Sequence, residues 1–308
     1  MLFHALFDER DIYTGELRLD LEGPLDAARL SSAAEALLRR HANLRAEFRT
    51  LSSGRSVQVI RRDVELPWRE VTSDPPAEER FDLGRPPLVR FTLVRLGPRR
   101  HRLVIFSHHL LWDGRSAPIL LHELFALYSG ERLPFVRPDR AYLDWLSKRD
   151  TQVAEQVWRE ALSGLDGPTL LGPTRTPVEI PSPFTTQRDA TDLSAMARVH
   201  GLTLSTVMRG LWALFLSTLT GRTDVVLGAT VSGRPPGLAG VGVDGRAVHQ
   251  HGSGAGPAEL FVRMQAEQSA LPDHQHLGLA DIQRVSGHST PFALIGPDVS
   301  VDTTERAP

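Results

Sequence analysis

Residues 103–114 read LVIFSHHLLWDG, an apolar run that leads directly into the pattern HHxxxDG. The apolar residues predict a short buried strand, and the spacing after Gly114 predicts an amphipathic helix. Two adjacent histidines at the end of a strand point to opposite sides, so one imidazole can face a cleft. An aspartate four residues after the second histidine can turn back and brace the loop. The stretch therefore predicts a strand, a loop that carries a functional histidine, and a helix.

Strand and helix patterns alternate on both sides of this unit. Alternating or apolar runs predict strands over 13–21, 57–60, 88–96, 102–107 and 225–227, and whether 230–231 continue the last strand stays open. Helical spacing predicts helices over 27–40, 116–128, 142–162, 192–199, 203–220 and 258–270. Asp26 is placed to cap the first helix and Gly130 to end the second. The alternation indicates an α/β fold. A segment rich in Gly, Pro and Thr, 163–183, divides the chain into expected domains over 1–165 and 166–308.

Composition excludes several classes of function. The chain has 308 residues, a net charge of −2 and no cysteine. The near-neutral charge gives no footprint for nucleic acid or a membrane surface, and the absence of cysteine excludes disulfides and thiolate nucleophiles. We see no apolar run long enough for a transmembrane helix and no signal peptide, so we expect a cytoplasmic protein.

Further motifs in the chain resemble those of a known protein family. RHANLR at 40–45 has the form RHxxLR, 158–162 has the form WRxxL, and Ser232-Gly233-Arg234 follows an apolar strand. With HHxxxDG and the segment 274–283, they resemble the condensation domains of nonribosomal peptide synthetases over most of residues 1–288. The resemblance implies a two-lobed fold like that of chloramphenicol acetyltransferase.

The chain also departs from this family. The usual Ser-x-x-Gln motif would lie before Met1, and residues 289–308 do not resemble the end of the family's second half. We therefore expect a truncated chain whose second lobe is incomplete. Residues 244–251 stand where the family has a strand of the form VGxFINTxP. The stretch 246–257 resembles that strand translated out of frame, and ordinary divergence is the alternative.

The resemblance assigns roles to the residues of the central motif. His109 is expected to be catalytic and to face a tunnel between the two halves, and His108 to be structural. Asp113 is expected to pair with Arg45, the last residue of RHxxLR, and so to hold the shape of the loop. Gly114 is expected to allow a tight turn or close approach to substrate, and its N–H could stabilise an oxyanion. The plain alternatives are a hydrogen-bonded loop histidine at position 109 and an exposed aspartate at position 113.

The remaining candidates are more open. Trp112 either lines the tunnel or packs in the core, and Arg234 either fixes a loop near the tunnel or is a surface arginine. Trp145 and Trp158 are expected to pack between helices. We predict no metal site, because the histidines at 249, 251, 274 and 276 have no acidic ligand placed with them.

The leading functional hypothesis is amide bond formation between aminoacyl or peptidyl thioesters held on carrier proteins. An imidazole can accept or share a proton near neutral pH, and whether His109 acts as a base or chiefly orients the amine stays open. The resemblance implies no bound cofactor, since phosphopantetheine arrives on the donor and acceptor carriers. It also implies neighbouring synthetase domains as partners. The alternatives are a non-catalytic remnant that binds carriers or synthetase partners, and a stand-alone O-acyltransferase.

Overall fold

The computed structural model describes residues 13–73, 80–114, 116–136, 139–165, 167, 169, 189–232, 245–252, 257–270 and 274–287. The described residues up to Ser147 form one compact unit, and those from Lys148 onward form a second. The domain boundary between residues 165 and 166 remains a prediction.

The first unit is built on a mixed sheet. Its described strands are β1 (Thr14–Glu22), β2 (Ala46–Thr50), β3 (Ser56–Ile60), β4 (Trp68–Val71), β5 (Val89–Gly97) and β6 (Arg100–His108). The sheet order is β1-β6-β5-β4, while β2 and β3 form a separate antiparallel hairpin. β6 is antiparallel to both of its neighbours, and β4 is parallel to β5. The strand that ends in the histidine pair therefore lies inside the sheet, hydrogen-bonded on both sides.

Two helices pack against one another in this unit. They are α1 (Ala27–Arg40) and α2 (Ala117–Ser129), and a 3₁₀ turn (Ala42–Arg45) follows α1. Asp26 accepts a hydrogen bond from the Arg29 N–H at the start of α1, and Gly130 ends α2 with a φ of 81°. Both predicted helix ends are confirmed. The buried residues of α1 are those that the helical spacing selected: Leu30, Ala33, Ala34, Leu37 and Leu38.

One of the predicted helices is wrong. In place of a single helix over 142–162, the chain forms α3 (Asp139–Ser147) and α4 (Thr151–Ala161). The physical reason is Asp150, whose Oδ1 accepts hydrogen bonds from the N–H groups of Gln152 at 2.9 Å and Val153 at 3.1 Å. A side chain that satisfies these N–H groups starts a new helix. The short strands β2 and β4 were also not predicted.

The described part of the second unit contains α4, α5 (Thr191–Val199), α6 (Leu204–Thr220), β7 (Val225–Ser232), β8 (Gly245–Gly252), α7 (Pro257–Ala270) and α8 (Leu279–Val285). Trp158 is fully buried in a cluster with Val226 and Ile282, which confirms its predicted packing role. β7 and β8 pair antiparallel. β8 thus occupies residues where the sequence departs from the family strand, and the out-of-frame origin of this segment remains a prediction.

No single helix among the described residues is long and apolar enough to cross a membrane. The helices Thr191–Val199 and Leu204–Thr220 pass the same test only together, as a pair bent by 101°.

Candidate active site

The histidine pair stands at the end of β6. The His108 N–H donates to the Leu88 carbonyl at 3.0 Å, and the His109 N–H donates to the Tyr13 carbonyl at 2.7 Å. The two successive bonds go to opposite neighbours, so the backbone of both residues is fixed by the sheet. Successive strand side chains point to opposite faces, and here one imidazole is buried while the other is exposed.

His108 is the buried member of the pair. Its side chain has no exposed surface, and its Nδ1 accepts a hydrogen bond from the Leu110 N–H at 3.0 Å. This bond turns the chain out of the strand directly after the motif histidines. The geometry supports a structural role for His108.

His109 is exposed, and its ring is held from one side. Its Nδ1 lies 3.3 Å from the Trp112 carbonyl oxygen. A carbonyl oxygen can only accept, so Nδ1 carries the proton and Nε2 of the neutral ring keeps its lone pair. Within the described part of the chain, no residue forms a hydrogen bond with Nε2. The arrangement presents an available basic nitrogen.

Trp112 supports the loop from the core. The residue is 7% exposed and belongs to the hydrophobic core of the first unit. The indole N–H donates to the Ser107 hydroxyl on β6. Of the two roles expected for Trp112, the described contacts show packing, and its carbonyl additionally holds His109.

Asp113 connects the loop to α2. Its Oδ1 accepts from the Ser116 N–H at 3.1 Å and from the Ser116 hydroxyl at 3.2 Å. Its backbone carbonyl accepts from the Ala117 N–H at 3.2 Å. The side chain therefore braces the loop, as expected, by bonding to the residue that precedes α2.

The expected pairing of Asp113 with Arg45 is corrected by the structure. Arg45 Nη1 donates to the carbonyls of Arg61 at 2.9 Å and Arg62 at 2.7 Å. These carbonyls follow β3, so Arg45 secures the β2–β3 hairpin. Among the residues that the structure describes, Arg45 and Asp113 form no ion pair with each other.

A different residue joins RHxxLR to the motif loop. Asn43, 5% exposed, donates from Nδ2 to the Leu111 carbonyl at 2.7 Å. Asn43 stands at a variable position of RHxxLR and was not predicted as a site residue. The bond joins residues 68 positions apart, so no local pattern in the sequence signals it.

A charged cluster ties the end of α1 to α2. Glu123 on α2 accepts from Arg40 Nε at 2.7 Å and from His41 Nε2 at 2.6 Å. The Glu123 side chain is 12% exposed. Burial alone would raise its pKa, but the hydrogen bonds and charges of Arg40 and His41 outweigh burial and hold the pKa of Glu123 below its ordinary value.

Fewer contacts are described for the other predicted site residues, Gly114 and Arg234, and for the histidines considered as metal ligands. Gly114 is exposed, its φ is outside the left-handed range, and a Cβ there would meet nothing within 4 Å in the described surroundings. The turn therefore does not require glycine, which leaves close approach to substrate as the predicted role of Gly114.

Arg234 lies outside the described residues, as do the side chains of His249 and His251. The described residues contain no group of three or more His, Cys, Asp or Glu side chains that could hold a metal ion.

The mixed sheet and the helices form an α/β fold, which agrees with the chloramphenicol-acetyltransferase type that the resemblance implies. The family model of the condensation domain matches residues 1–303. The chain belongs to the condensation domain family.

Known proteins similar to this chain are much longer than it is. Chondramide synthase cmdD of Chondromyces crocatus is 33% identical over 311 residues, which are 91% of this chain and 8% of that protein. Bacitracin synthase 3 of Bacillus licheniformis is 30% identical over 259 residues, 74% of this chain and 4% of that protein. The chain thus spans only a small part of these relatives.

A solved structure confirms the fold. The first condensation domain of the calcium-dependent antibiotic synthetase, solved in complex with a substrate analogue, superposes with a TM-score of 0.73. The match covers 94% of this chain and 76% of that one at 22% identity. At this identity the likeness shows the fold alone.

Proposed function

We propose that this chain forms an amide bond between two carrier-bound thioesters, with His109 at the reacting atoms. The observation that carries the proposal is the bond from His109 Nδ1 to the Trp112 carbonyl, which leaves the Nε2 lone pair available on an exposed side chain. Membership in the condensation domain family supports the same reaction.

The reaction is an acyl transfer from sulfur to nitrogen. The acceptor amine attacks the donor thioester carbonyl, a C–N bond forms, and the C–S bond breaks. His109 Nε2 receives the proton that the amine loses and returns it to the departing thiolate. Orientation of the amine by the same nitrogen contributes in addition.

The proposal gives the other motif residues supporting roles. His108 and Asp113 hold the loop on either side of His109 through their bonds to Leu110 and Ser116. Gly114 is exposed, and in this proposal its backbone N–H stabilises the developing oxyanion.

The partners are two peptidyl carrier proteins, which bring donor and acceptor on phosphopantetheine, together with neighbouring synthetase domains. The proposed reaction requires no cofactor held by the chain itself. We place it in the cytoplasm, where these synthetases would act.

The test is single-turnover transfer between a loaded donor carrier and a loaded acceptor carrier, with the amide product detected by mass spectrometry. His109→Ala should lower the rate by about 10²–10⁴-fold, the usual contribution of a positioned acid–base group. His122→Ala is the matched control, because His122 is an exposed histidine on α2 and no role is assigned to it.

Other outcomes contradict the proposal in distinct ways. Carrier binding without amide formation would identify a non-catalytic remnant. Ester formation with a free alcohol, in place of amide formation, would identify an O-acyltransferase. Equal rates for His109→Ala and the parent chain would remove His109 from the chemistry.

A further inference from the structure

Gly15 on β1 lies beside the reactive nitrogen of His109. In the β1–β6 register Gly15 stands opposite Ser107. A Cβ built on Gly15 would lie 3.6 Å from His109 Nε2 and 4.0 Å from Cδ2, and it would meet no other described atom within 4 Å. The side-chain position of residue 15 is therefore directed at Nε2.

If the His109 ring moved away from the side-chain position of residue 15, it would lose its hydrogen bond to the Trp112 carbonyl. Its Nδ1 is held by the Trp112 carbonyl, and its backbone N–H is held by the Tyr13 carbonyl two residues before Gly15. A side chain at position 15 would therefore share the space next to Nε2 with whatever binds there.

The size of that space decides what can reach Nε2. A hydrogen-bonded nitrogen or oxygen must come within about 2.7–3.2 Å of Nε2. A methyl group at 3.6 Å is an ordinary van der Waals neighbour of the ring, but it occupies one side of the approach. The methyl groups of valine would extend further from the strand.

We infer that Gly15 is a specificity-determining residue, which leaves the space that the acceptor amine of an aminoacyl thioester occupies at His109 Nε2. The inference rests on the proposed function and names the residue that limits the bulk of the nucleophile. Glycine is not needed for the backbone, because the φ of Gly15 is outside the left-handed range and the residue lies within a regular strand.

Because the backbone at position 15 does not require glycine, substitutions there test the space beside His109 without backbone strain. Alanine and valine are both compatible with an extended strand, and valine favours it. Gly15→Ala and Gly15→Val should fold as the parent chain does. Gly97→Ala is the matched control: Gly97 ends β5 at the other end of the same sheet, where a Cβ would lie 3.9 Å from the Arg100 Cβ.

The first experiment measures access to Nε2 without any carrier protein. Diethyl pyrocarbonate acylates unprotonated imidazole nitrogen, and peptide mass spectrometry gives the rate at His109, with His122 as the internal standard. We expect Gly15→Val to slow labelling of His109 at least fivefold and Gly15→Ala to slow it less, with His122 unchanged in both. Equal His109 rates in Gly15→Val, Gly97→Ala and the parent chain would overturn the inference.

The second experiment measures amide formation between loaded carriers. We expect kcat/KM for the acceptor carrier to fall about tenfold in Gly15→Ala and further in Gly15→Val, with KM for the donor carrier unchanged and Gly97→Ala at the parent rate. Unchanged acceptor kinetics in Gly15→Val would contradict the inference. If the parent chain forms no amide while labelling still depends on residue 15, the proposed function fails and the control of access by Gly15 stands.

Discussion

At the scale of single residues, the loop after β6 is held by short local bonds and by bonds to residues distant in sequence, among them Tyr13 and Asn43. His108, His109 and Asp113 each bond to a group within three residues. Asn43 reaches the Leu111 carbonyl across 68 positions of sequence. The local bonds shape the loop, and Asn43 attaches it to the turn after α1.

This difference explains which site residues could be predicted. His108, His109 and Asp113 form one contiguous motif, so their types and spacing carried the prediction. Asn43 and Gly15 act through pairing between separate elements, which no local pattern encodes. The pairing of Asp113 with Arg45 was wrong because both charges find nearer partners, the first in Ser116 and the second in carbonyls after β3.

Removal of the Asn43 amide should destabilise the chain. Asn43→Ala leaves the buried Leu111 carbonyl without its side-chain donor, which costs about 1–3 kcal/mol of unfolding free energy. Denaturant-induced unfolding measures this difference. The control is Gln58→Ala, which removes an exposed amide on β3 and should change stability by less than about 0.5 kcal/mol. Similar losses in the two variants would contradict the proposed attachment.

At the scale of elements, α1 and α2 are tied to each other at two places. The Asp26 N–H, before α1, donates to the Tyr128 hydroxyl near the end of α2 at 3.1 Å. At the end of α1, Arg40 and His41 donate to Glu123.

The helical periodicity of the sequence predicted both α1 and α2, because that signal is local. The break between α3 and α4 was missed because the apolar spacing continues across the Asp150 cap.

Glu123 makes the packing of these helices dependent on pH. Because its folded pKa lies below the ordinary value of 4.5, Glu123 contributes its full stabilisation above pH 4.5. That contribution is lost as the pH falls through the folded pKa. Glu123→Gln should cost about 1–2 kcal/mol at pH 7, and the gap to the parent chain should shrink as the pH falls below 4.5.

Unfolding free energies measured between about pH 7 and pH 3, a range that spans the titration of carboxyl groups, provide this comparison. Glu131→Gln serves as control, because Glu131 is exposed just after α2. A gap between Glu123→Gln and the parent chain that stays constant over the whole range would show that the carboxylate charge does not stabilise the cluster.

At the scale of the whole molecule, the class of fold could be predicted and the strand order could not. Alternating strands and helices indicated α/β, and the family resemblance supplied the overall type. The order β1-β6-β5-β4, with β4 parallel to β5, depends on pairing between strands far apart in sequence. β4 has only four residues, too few for a reliable pattern.

One buried residue of the second unit shows how such distant contacts can be tested. Trp158 is fully buried, and its indole N–H donates to the His274 carbonyl at 3.0 Å. Trp158→Phe removes the donor and part of the ring, so we expect a loss of about 2–3 kcal/mol in denaturant unfolding. Trp145→Phe, on α3, is the control, because Trp145 is half-buried and stacks on Tyr142. A loss in Trp145→Phe as large as in Trp158→Phe would contradict this assignment.

In the proposed chemistry, the motif loop presents His109 with its proton on Nδ1 and a lone pair on Nε2. The most direct measurement is a long-range ¹H–¹⁵N correlation spectrum of the histidine-labelled chain at about pH 8, where a histidine of ordinary pKa is neutral, with the His109 signals identified by their absence in His109→Ala. The bond from His109 Nδ1 to the Trp112 carbonyl predicts a protonated Nδ1 and an unprotonated Nε2. A proton found on Nε2, with Nδ1 unprotonated, would contradict the bond to the Trp112 carbonyl and remove the basis of the proposed chemistry.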